Sequence, residues 1–141
     1  RSSSSYLREK FLVHECLHGL FFSSPAYREA CFVLWTRQTE ELKSFWKYFL
    51  RYLTYNSEDT YLMFNEYQAY LMQQPVEQAE RYFRNHAATA YALEQSPYSE
   101  TLQQLISENP LLFTAMAEEV QEVAAVETGI TPERLWGVFY K

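Results

Sequence analysis

A chain of 141 residues in which 48% of the side chains are hydrophobic is one domain's worth: long enough to bury a core, too short for two. A net charge of -6 with no cluster of Lys and Arg argues against a nucleic-acid partner. No apolar run approaches the roughly 18 residues of a membrane span.

Three Gly and five Pro leave little material for turns, which favours long helices, and an aromatic share of 18% predicts a core built from large flat side chains. Cys16 and Cys31 form neither a C-x-x-C pair nor a disulfide framework, and both read as small buried apolar residues. The chain opens on Arg1 and the polar run Ser2–Ser5, which reads as a fragment or a processed product.

Ser4 or Ser5 is placed to cap a first helix over 6–22, in which Leu7, Phe11, His14, His18 and Phe22 recur at three and four residues as one inward stripe. Within it stands His14-Glu15-Cys16-Leu17-His18, an H-E-x-x-H match. Histidines four apart lie one above the other on a helix, so both imidazoles reach a single ion, and zinc suits that donor pair. Glu15 is placed to take a proton from a water on that ion. Cys16 points away from the histidine face and is not counted as a ligand.

Pro25 opens the next segment, where the apolar pattern over 26–55 suggests one long helix or two with a break near 36–39. The aromatics Phe45, Trp46, Tyr48, Phe49, Tyr52 and Tyr55 surround that helix and mark it as deeply packed, with a subunit or domain interface as the alternative. Asn56-Ser57 reads as a loop, and Glu58 and Asp59 serve the start of a helix over 58–74 that stops at Pro75. A fourth helix over 76–95 carries His86, an alternative metal ligand. Ser96-Pro97-Tyr98 makes a turn before a short helix over 99–107. Asn109-Pro110 opens another, with Glu118, Glu119 and Glu122 on its solvated face, ending at Thr128-Gly129. Thr131 as cap and Pro132 at the first turn start a last helix docked by Trp136 and Phe139. The expected architecture is a single all-α domain over 1–141 with six or seven helices and no strand.

Two histidines leave the ion one protein ligand short, and Glu66, in Asn65-Glu66-Tyr67-Gln68-Ala69 on a later helix, is the candidate. An H-E-x-x-H helix followed downstream by a helical N-E-x-x-A resembles the gluzincin branch of the zincin-like metallopeptidases. The resemblance implies zinc held by His14, His18 and Glu66, Glu15 as general base, and a peptide or protein substrate. Tyr70 occupies the position where the thermolysin-like pattern has an Asp beside a histidine, and its hydroxyl is a candidate to bond a histidine or an oxyanion. The gap from His18 to Glu66 is longer than in the best-known gluzincins. Only thirteen residues precede His14, so the chain resembles the helical half of such a fold, with the upstream substrate-binding sheet expected in a missing N-terminal domain or replaced, and with a homo-oligomer as a further possibility. The alternative reading is a non-catalytic helical interaction module with a structural or relic metal site.

Overall fold

The computed structural model describes residues 2–136, all-helical without a strand among them. Eight α-helices follow in chain order: α1 (Ser2–Ser23), α2 (Pro25–Arg37), α3 (Glu40–Tyr52), α4 (Thr60–Met72), α5 (Ala79–Asn85), α6 (Ala87–Gln95), α7 (Ser99–Glu108) and α8 (Leu112–Thr128), with 3₁₀ turns at Val76–Gln78 and Pro132–Leu135. The all-α expectation holds. The count exceeds six or seven because the segment over 76–95 is not one helix. Its chain turns extended at His86, whose ring accepts a hydrogen bond from Ala88 N and so caps α6, while the Thr89 hydroxyl donates to the Phe83 carbonyl at the end of α5.

The other punctuation is local chemistry. Ser24 caps α2 and Pro25 takes its first turn. Thr39 caps α3, which settles the open question over 26–55 as two helices broken at Gln38. Asp59 caps α4, leaving Glu58 to pair with Arg51 at 3.2 Å. Gly129, at φ 70°, closes α8.

α1 departs from its expectation in two ways. It begins by Ser2, so Ser4 and Ser5 lie inside it; extending a nucleated helix through serine costs only a few tenths of a kcal/mol per residue, about 0.5 relative to alanine. Its buried row is Val13, Leu17 and Phe21, whereas Leu7, Phe11 and Phe22 are 62%, 61% and 58% exposed. The true inward face is thus rotated by roughly 100°, one residue, from the expected stripe. His14 and His18 lie at its edge, between core and solvent. Cys16, off the buried row, is exposed, contrary to expectation, while Cys31 is buried and its thiol is pushed up to about 12 by that burial. The segment from Thr131 forms only the short 3₁₀ turn within the described residues; the Thr131 carbonyl accepts from Arg134 N, and the Thr131 side chain makes no cap bond. Trp136 stacks on Tyr6 at 6.2 Å; Phe139 lies outside the described residues.

The core centres on Trp46 of α3, whose ring meets Phe45, Phe49, Tyr67 and Phe83 edge-on at centroid distances of 4.9–5.6 Å. Such aromatic pairs add roughly 0.5–1.5 kcal/mol each beyond the area they bury. α3 packs on α6, and α8 runs beneath α2 and α4. α4 is buried almost all round from Met63 to Ala69, which fixes it as the rigid rail against which α1 is laid.

Candidate metal centre

α1 supplies His14, Glu15 and His18, and the facing turn of α4 supplies Asn65, Glu66 and Tyr70. The H-E-x-x-H spacing brings the two imidazoles together as expected, with their Nε2 atoms 3.0 Å apart. Glu66 closes the triangle: Oε2 lies 3.4 Å from His14 Nε2 and Oε1 3.5 Å from His18 Nε2. The three residues form the one group among the described residues whose donor atoms converge tightly enough to hold a metal ion. His86 is not in it and serves as a helix cap instead.

The residues fit a metal. A tetrahedral ion bonded at about 2.0–2.2 Å sets its ligand atoms about 3.3–3.6 Å apart, close to the edges of this triangle. Three lone-pair donors pointed at one another in a nearly water-free position repel unless a cation lies between them. The buried Glu66 Oε2 lacks a well-aligned hydrogen bond and faces His14 Nε2 at 3.4 Å. Burial alone would raise the Glu66 carboxyl, but hydrogen bonding from His14 and His18 outweighs it and holds the group at about 2. Burial likewise disfavours charge on His18, yet Glu66 and Asn65 raise its pKa overall.

The orientation of His18 is set from behind. Its Nδ1 donates to Asn65 Oδ1 at 2.9 Å, which turns Nε2 toward Glu66. Asn65 is itself anchored: Gln68 Nε2 donates to the Asn65 carbonyl at 2.9 Å, and Tyr27 donates to Gln68 Oε1 at 2.8 Å. His14 has no such partner, since its Nδ1 is buried and unbonded; the edge of Tyr70 packs on its ring, 4.8 Å between centroids.

Tyr70 therefore touches His14 through its ring. Its hydroxyl meets that of Tyr55 at 3.3 Å and bonds no histidine. Tyr55 faces Glu66, and burial raises the pKa of both phenols, so both remain donors at neutral pH. The backbone places Tyr55 there at some strain. After α3, Thr54 takes a left-handed φ of 74°, with Thr54 N donating to Arg51 O and Tyr55 N to Leu50 O, a Schellman turn in which threonine stands where glycine is usual. Glu15 is exposed and, with Leu7, Phe11, His14, Tyr55, Tyr70 and Gln73, lines a groove of about 250 Å³ that opens beside the triangle. Asn65 takes no role from the sequence, which places Tyr55 among the aromatics around a packed helix, whereas α3 ends at Tyr52 and Tyr55 lies beyond it. Asn65 was visible as the neighbour of the ligand glutamate, whereas nothing local marked Tyr55. No family model, curated protein or solved structure matches the chain.

Proposed function

We propose that this chain is a zinc-dependent, gluzincin-like metallopeptidase domain that hydrolyses peptide bonds. The carrying observation is the His14, His18 and Glu66 triangle, with edges of 3.0–3.5 Å, set beside a groove lined by Glu15. Three protein ligands facing a groove fit a catalytic zinc, since structural zinc is closed by four, commonly with cysteine. Bound zinc supplies Lewis acidity and lowers the pKa of a water to about 7.

The chain's own groups do the rest. Glu15 accepts the proton of the attacking water and returns it to the leaving amine. Tyr55 and Tyr70, held protonated, donate toward the oxygen on which negative charge develops. Asn65 keeps the His18 ring in the orientation and tautomer that present Nε2.

The test is zinc content by mass spectrometry together with hydrolysis of a mixed peptide library. About one zinc per chain is expected, lost in both His14→Ala and Glu66→Ala. Glu15→Gln should keep the zinc and lose turnover by about 10² to 10⁴-fold. A parent chain that takes up no zinc overturns the proposal; zinc without any cleavage turns the site into that of a non-catalytic helical module.

A further inference from the structure

Beside the groove, and sharing Lys10 with it, lies a larger cleft of about 560 Å³, walled by Lys10, Arg81 and His86 with Tyr6, Tyr82 and Asn85. In a protein of net charge -6, no carboxylate lines it. The Lys10 ammonium sits on the face of Tyr82, 3.5 Å from the ring centroid, and its charge reaches His86. Burial lowers Lys10 to about 8, the mark of a cation short of solvent. None of the five ion pairs seen among the described residues involves Lys10 or Arg81. Two of the nearby carboxylates are otherwise placed: Glu80 on the same helix as Arg81 is held by Arg84 at 2.8 Å and by Thr114 N, and Glu77 is exposed outside the cleft, while Glu9 is buried and, like Arg81, lies near Tyr6.

We propose that this cleft binds a carboxylate of the peptide substrate, carried by an acidic side chain or the peptide's C-terminus, with Arg81 and Lys10 as its cationic partners. A half-buried ammonium gains most from an entering anion, and a guanidinium supplies the two-point contact a planar carboxylate takes. Lys10 stands one helical turn before His14 on the same face of α1, about 6 Å away, and an extended peptide advances about 3.4 Å per residue. The carboxylate therefore lies at a short, fixed offset along the peptide from the cleaved bond. The substrate half of this inference rests on the peptidase reading; the anion site does not.

The full chain, metal-free, is titrated with glutarate and separately with inorganic phosphate at constant ionic strength, following backbone amide resonances. Saturable glutarate shifts at residues 10, 81 and 86 are expected, with affinity falling at least fivefold in Arg81→Gln and in Lys10→Met. Arg81 is exposed, so Arg81→Gln retains the fold even if the lysine variant does not. Shifts that never saturate, or equal affinity in Arg81→Gln, overturn the site; phosphate binding tenfold tighter than glutarate overturns the carboxylate assignment. With zinc restored, a peptide library should show Asp or Glu enriched at one fixed offset from the cut, lost in Arg81→Gln, and cleavage without that preference overturns the substrate role. No cleavage at all beside intact glutarate binding counts against the peptidase reading while upholding the anion site.

Discussion

Asn65→Ala removes the acceptor that orients His18 while leaving all three proposed ligands in place. A lost partner of this kind typically weakens metal affinity about 10- to 100-fold. Zinc at about 100 times the wild-type Kd adds about 2.7 kcal/mol to the folded state, and for 141 residues the unfolding entropy near Tm is about 0.3 kcal/mol/K, so zinc should raise the wild-type Tm by about 9 °C. At the same zinc concentration the variant keeps about 0.4–1.4 kcal/mol, a rise of about 1–5 °C. Differential scanning calorimetry with and without zinc gives each protein's shift against its own metal-free Tm, which removes any cost of the substitution to the metal-free fold. Asn65→Asp, retaining an acceptor at that position, should keep the wild-type shift. A full 9 °C rise in Asn65→Ala would refute the orienting role of the 2.9 Å bond, and no rise in the wild type would refute the metal centre itself.

Protonation gives opposite trends with and without metal. In the metal-free protein the lowered Glu66 pKa contributes stability that is present above its unfolded value of about 4.3 and lost as pH falls toward about 2. The raised His18 pKa contributes stability that is present below about 6.5 and lost as pH climbs through the raised value. The stability difference between wild type and Glu66→Gln, from urea midpoints without metal, should thus peak between about pH 4.3 and 6.5, and a flat profile would sink the pairing. Zinc affinity by calorimetric titration should instead rise with pH until His18 is neutral, because the ion displaces its proton. Thr54→Gly relieves a left-handed threonine and should stabilise by about 1 kcal/mol, raising Tm by about 3 °C; unchanged or lower stability would mean that the turn is unstrained. Trp46→Ala empties the centre of the aromatic cluster and should cost about 3–5 kcal/mol in urea unfolding, where a loss under 1 kcal/mol would move the core elsewhere.

Much of this molecule was set by short-range chemistry and was therefore legible along the chain. Ser24, Thr39 and Asp59 cap their helices through side chains whose partners lie three residues on, and Gly129 ends α8 by a property of its own backbone. The convergence of His14 and His18 follows from helical spacing alone, whatever surrounds it. What required the tertiary structure was everything that depends on which helix faces which. The inward face of α1 is chosen by α4 and α2, and because a one-residue rotation of an apolar pattern still repeats at three and four, the sequence admitted Leu7 and Phe11 inward where the packing selected Val13 and Leu17. The approach of Glu66 to two histidines about fifty residues away and the aim of Asn65 at His18 are likewise long-range. They arise when α4, buried almost all round, docks α1 in a single register, and no local preference of either helix specifies that register.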